Sequence, residues 1–179
     1  MVEDGAAPYH GPVPLDDQSD PLVTVHHEWR LRWSGADAMT AAMSIARAEQ
    51  LVVARLNAAL RPFDLTMGRY ETLLLLAISG AGQLPLGRMS DLMMVHPTSI
   101  TNNIDRLEAQ GYVRRIPHES DRRTTLAEIT SSGREIVDIA SHELQKIDFG
   151  LDTLSPKERV QLSRILRKVR TDGAEVGIE

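Results

Sequence analysis

Along most of this chain apolar residues return at the spacing of a helix. Between Asp37 and Leu60 there is neither Pro nor Gly, and Met39, Met43, Ala46, Leu51, Val52, Leu56 and Leu60 recur every three to five positions. That pattern predicts one long amphipathic helix of about six turns, closed by Pro62. A second helix is expected from Thr66 through Tyr70, Leu73, Leu74, Ala77 and Ile78, ending at the turn signal Gly80-Ala81-Gly82. A short third one spans about Leu86–Met94, with Leu86, Met89, Leu92 and Met93 on one side. Pro97 suits the first position of a fourth, which runs to Gln110 and stops at Gly111. On it Ile100, Ile104 and Leu107 form a narrow apolar stripe, and Ser99, Asn102, Asn103 and Arg106 a polar stripe on another face. The helical period then breaks. Residues 112–116 and 124–129 read as two strands around the charged turn Pro117-His118-Glu119-Ser120-Asp121-Arg122-Arg123, a hairpin. Thr130-Ser131-Ser132-Gly133 restarts a helix on Ile136, Ala140, Leu144 and Ile147. Ser155-Pro156-Lys157-Glu158 is a capping box opening a last helix on Leu162, Ile165, Leu166 and Val169. Ahead of all these, residues 21–34 suit a short helix with Trp29 and Trp33 one turn apart. Residues 1–20, rich in Pro, Gly and acids, read as a disordered acidic tail.

Composition narrows the picture. The 179 residues are 42% hydrophobic, enough for one core, but only 4% aromatic, so aliphatic side chains and methionine must fill it. With no cysteine there are no disulfides, thiolate metal sites or thiol switches. No run of 18 apolar residues and no signal segment are present, which predicts a cytoplasmic protein with no membrane partner. The net charge of -5 argues at first against nucleic acid. However, residues 1–37 alone carry seven acids and two bases, which leaves the remainder neutral. Leu86–Arg134 holds seven arginines against six acids, with Arg114, Arg115, Arg122 and Arg123 inside ten residues.

Two helices joined by a tight turn and followed by a hairpin make a winged helix-turn-helix, the core of a mainly α fold with a two-stranded β wing. A helix fits the major groove, and its polar side chains reach base edges: Arg pairs with guanine and Asn with adenine, each bidentate. Thr98, Ser99, Thr101, Asn102, Asn103 and Arg106 are the candidate reading residues. Arg122 and Arg123 at the wing suit the minor groove or phosphates, and Asp121 beside them suits orienting an arginine. Asp105 and Glu108 count against this reading, because both oppose phosphates if they face DNA. A dimeric winged-helix module that docks on protein without binding DNA is the alternative. No nucleophile elbow, phosphate loop, paired catalytic carboxylates or metal-ligand spacing is found, so no enzyme, cofactor or metal is expected. His26 and His27 lack further ligands nearby.

The segment from about Thr66 to Gly133 resembles the MarR family of bacterial transcriptional regulators. Ser99 to Arg115 is similar to the family's recognition helix with its leucine–acid–x–x–glycine exit, Asp121-Arg122-Arg123 to its wing signature, and Ile129 to Gly133 to its next helix start. His118 departs from the acid the family often carries where the wing loop begins. The resemblance implies a homodimer on a palindromic operator. Residues 21–62 and 134–179 would then supply N- and C-terminal dimerisation helices around a DNA-binding domain at 63–133. It also implies repression relieved by a small phenolic or anionic effector bound between the dimer helices and the DNA-binding lobe. Trp29, Trp33, Tyr70 and Arg115 are the candidate ligand residues, against the plainer reading that they pack or lie on the surface. The tryptophans are similar to those of the urate-responsive branch, but Glu71 and Asn103 stand where that branch has an aspartate and an arginine. The absence of cysteine separates the chain from the branch that senses peroxides through a thiol.

Overall fold

Five of the predicted helices begin at a side chain that caps them. The computed structural model describes residues 20–118 and 124–173. The described residues form two compact units, one ending at Leu51 and the other beginning at Val52. In the first, Asp20 caps helix α1 (Pro21–Arg32): its carboxylate accepts the Leu22 N–H at 3.0 Å, and Pro21 occupies the first turn where no partner for an N–H is needed. Leu22 is buried, while Val23, Leu31 and Trp33 face outward. Helix α2 (Ala36–Leu60) begins in this unit and ends in the second. Its positions 41–51 are exposed throughout, whereas Leu56 and Leu60 are buried.

In the second unit a single turn of tight helix (Arg61–Phe63) leads to Thr66, whose hydroxyl caps α3 (Met67–Ile78). Helix α4 (Leu86–Met93) and helix α5 (Pro97–Ala109) follow, with only Met94, Val95 and His96 between them. The sharp turn is made by Met94 in the left-handed region (φ 53°), so that its N–H bonds the Asp91 carbonyl. His96 caps α5 through Nδ1, which accepts the Thr98 N–H at 3.2 Å. The expected stripe Ile100, Ile104 and Leu107 is fully buried. On α4, Met89 is buried as expected, but Leu92 faces solvent.

Strands β2 (Val113–Pro117) and β3 (Thr125–Ile129) pair antiparallel, with Arg115 opposite Ala127. The expected two-stranded wing gains a third strand, β1 (Gln83–Pro85), which pairs with β3 and gives the order β1-β3-β2. Helix α6 (Ser131–Lys146) is capped by Thr130 and buries Val137, Ala140 and Leu144. Gly133 is required there. A Cβ on it would lie 2.2 Å from the Tyr112 carbonyl oxygen and 2.8 Å from Ile129 Cγ1, so the first turn of α6 sits directly on the start of the wing. Helix α7 (Pro156–Gly173) opens with the predicted box: Glu158 accepts the Ser155 N–H at 2.8 Å. One core gathers Leu60 and Leu65, Leu73 and Leu76 of α3, Met89, the α5 stripe, Val113, Ala127, Ile129 and the buried face of α6. Helix α6 therefore shares its core with the winged helix rather than forming a separate body.

Candidate nucleic-acid interface

The buried stripe of α5 fixes which residues it turns outward. Thr98, Ser99, Thr101, Asn102 and Arg106 are all exposed. Thr101 donates its hydroxyl proton to the Pro97 carbonyl at 3.2 Å, which keeps it on the helix while its lone pairs face out. Beside Asn102 and Arg106 runs an open cleft of about 980 Å³, whose other wall is the start of α3 with Asp64, Thr66 and Arg69. Arg69 is held there by Thr66 (3.3 Å from Nε) and Asp64 (4.0 Å), and Gln110 Nε2 donates to Asp64 at 3.0 Å. Sequence reasoning passed over Arg69, which lies 37 positions before Arg106 and carries no periodic or motif signal.

Asn103 differs from its neighbours on the polar stripe. It is half-buried, and its amide NH2 donates to the Gly68 carbonyl at 3.2 Å and to Thr72 Oγ1 at 3.1 Å. The fully buried Thr72 hydroxyl passes its own proton to the same carbonyl at 2.7 Å. The amide expected to read adenine is thus spent on α3, and it fixes how α5 lies against that helix.

The two acids that opposed DNA binding are internal counter-charges. Arg115 reaches from β2 to Asp105 Oδ1 at 2.6 Å and to Glu108 Oε2 at 2.5 Å. Glu108 Oε1 also accepts the Arg115 backbone N–H at 2.9 Å. That N–H, helped by the guanidinium, holds the Glu108 carboxyl below its ordinary value of 4.5. Arg114 pairs with Glu128 across the hairpin. Both arginines at the base of the wing are therefore committed within the chain.

Of the expected ligand residues, Tyr70 and Arg115 are each bonded within the second unit, and Trp29 and Trp33 lie in the first. Tyr70 is buried and its hydroxyl bonds Ser141 Oγ at 2.8 Å, which ties α3 to α6. Arg115 is occupied as described. Trp29 and Trp33 do meet, with ring centroids 4.9 Å apart and planes tilted by 51°, and the Trp29 indole N–H donates to the Ser34 carbonyl. His26, which was not expected to bind metal, bonds Thr40 at 2.9 Å and lies 3.6 Å from Asp37. Asp121, Arg122 and Arg123 lie outside the described residues.

A three-residue turn between two helices, a second helix with a buried stripe and an exposed polar face, and a hairpin packed behind it define a winged helix-turn-helix transcriptional regulator. The family model of the MarR family matches residues 65–125. A MarR family transcriptional regulator of Streptomyces coelicolor, Sco5413, superposes with a TM-score of 0.73 at 39% identity, over 79% of this chain and 98% of that one. A second from the same organism, Sco3205, was solved in complex with DNA. It has a TM-score of 0.68 at 26% identity, over 78% of this chain and 89% of that one. The HTH-type transcriptional regulator YhbI of Bacillus subtilis strain 168 is 29% identical over 120 residues, 67% of this chain and 77% of YhbI. The chain belongs to the MarR family, which is one of transcriptional regulators and not of enzymes. Among the described residues no helix is long and apolar enough to cross a membrane.

Proposed function

We propose that this protein is a homodimeric repressor that reads a palindromic operator and leaves it when a small phenolic or anionic effector binds. The observation that carries the reading is the outward face of α5. Thr98, Ser99, Thr101, Asn102 and Arg106 offer hydroxyls, an amide and a guanidinium on one exposed surface, the chemistry that base edges and phosphates accept. Asn102 and Arg106 are the base readers in this account, and Arg122 and Arg123 the wing contacts.

Dimerisation is supported by apolar side chains that one chain leaves uncovered. On α2 these are Met43, Ile45 and Leu51; on α7 they are Val160, Ile165 and Val169. Apolar surface of that extent is commonly covered by a partner, and a two-fold pair of reading helices matches a palindrome. An effector acts only through its different affinity for the DNA-competent and incompetent spacings of those helices. The test is a gel shift with DNA upstream of the protein's own coding sequence, with the mass of the free protein in solution measured alongside. The expected result is a dimer that shifts this DNA in low salt and releases it to a phenolic or anionic compound. A monomer that shifts no duplex in low salt overturns the proposal.

A further inference from the structure

Arg115 joins three elements of local geometry at one point. It sits in the middle of β2, and β2 is an edge strand because the sheet order is β1-β3-β2. Arg115 stands at a non-hydrogen-bonded position of the β2–β3 ladder, so its backbone N–H points away from β3, and Glu108 Oε1 caps it at 2.9 Å. Its guanidinium spans Asp105 and Glu108, which stand one turn apart on α5. The Arg115 side chain is only 27% exposed, so these contacts are partly shielded from water. A planar fork that grips two carboxylates while its own backbone is pinned has little angular freedom.

We propose that Arg115 is a positioning residue that sets the wing at a fixed angle to the reading helix, so that both meet one duplex in register. It touches no DNA itself. It acts by holding β2, and it also masks two acids that would otherwise repel phosphates. This inference rests on the DNA-binding reading above, but its first test does not.

In the free protein, Glu108→Ala removes the acceptor of the Arg115 amide. Hydrogen exchange of that amide should quicken about 10-fold, the factor that corresponds to one lost hydrogen bond of ordinary strength, while the melting temperature falls by only about 1–6 °C. Unchanged exchange overturns the proposal whatever the protein does with DNA. With DNA, Arg115→Met should weaken binding to every sequence, because two acids lose their counter-charge. It should also lower the ratio of operator to scrambled-sequence affinity about 10-fold, the cost of roughly one base contact. Adding Asp105→Asn and Glu108→Gln to Arg115→Met should restore general affinity but not that ratio, and Arg115→Lys should keep part of it. A triple variant that discriminates like the parent overturns the proposal. So does a salt slope that falls by about one per subunit, since that marks a direct phosphate contact. If the parent binds no duplex at all, the DNA reading fails, and the exchange experiment alone decides whether Arg115 holds the wing.

Discussion

Asn103→Ala separates two roles that a sequence cannot tell apart. As a base reader, Asn103 would contribute nothing to folding. In the structure its amide makes two hydrogen bonds across the α3–α5 interface, to Gly68 O at 3.2 Å and Thr72 Oγ1 at 3.1 Å. A net contribution of about 0.5–1.5 kcal/mol for each bond, with Thr72 left buried and short of a donor, gives a loss of about 1–3 kcal/mol. For a chain of this size that lowers the melting temperature by about 2–12 °C. Asn102→Ala, at an exposed position one residue away, should stay within about 0.5 kcal/mol of the parent. The assay is urea or thermal unfolding of both variants, followed by binding to a set of operators each altered at one base pair. Asn102→Ala should lose about 1–3 kcal/mol of discrimination at one base pair. Asn103→Ala should lose less at any one position, spread over the half-site, because the whole helix is loosened. If Asn103→Ala is as stable as the parent and blind at a single base pair, the assignment of its amide to α3 is wrong.

Four further outcomes follow from local geometry. Gly133→Ala should cost about 1–2 kcal/mol in urea unfolding: the added methyl meets the Tyr112 carbonyl at 2.2 Å, and overpacking of that kind outweighs the gain in helix propensity. Met94→Gly should stabilise by about 0.5–1 kcal/mol in the same assay, since a glycine adopts φ 53° without steric cost. Ser155→Ala should lower stability by about 1 kcal/mol by removing the α7 cap. Because Glu108, Glu128 and Glu158 are each held below 4.5 in the folded chain, their contribution is complete above that pH and lost as pH falls through their lowered values. Stability measured against pH should therefore be insensitive to these groups from pH 8 to about 5 and drop below about 4, and Glu108→Gln should flatten part of that drop.

What the sequence made legible was whatever is encoded within a few residues. Thr66, Pro97, Thr130 and Ser155 mark helix starts because their hydroxyls or rings act on the next turn alone. Ile100, Ile104 and Leu107 identify the buried face of α5 because period alone decides it. Most of the misses lie at longer range. Gln83-Leu84-Pro85 is too short to show alternation, and only its pairing with β3 makes it a strand. Leu92 keeps the spacing of a core residue, but α4 is only eight residues long and turns that position to solvent. Asn103 lies on the polar stripe by spacing, but its partners are 31 and 35 positions back in the chain. Asp105 and Glu108 read as hostile to DNA until Arg115, ten and seven residues on, is placed against them. Net charge was therefore a poor guide: the excess of acid falls in residues 1–37, and the two acids on α5 are matched by Arg115.

The most direct test of the account is a salt titration of binding to duplex DNA from upstream of the protein's own coding sequence, set against a scrambled duplex of equal length. Affinity for the upstream duplex should fall linearly on logarithmic axes with salt, as a few placed arginines release their counterions. This duplex should also be preferred over the scrambled one by at least about 10³. Equal affinity for the two duplexes, or no binding to either in low salt, would contradict the account.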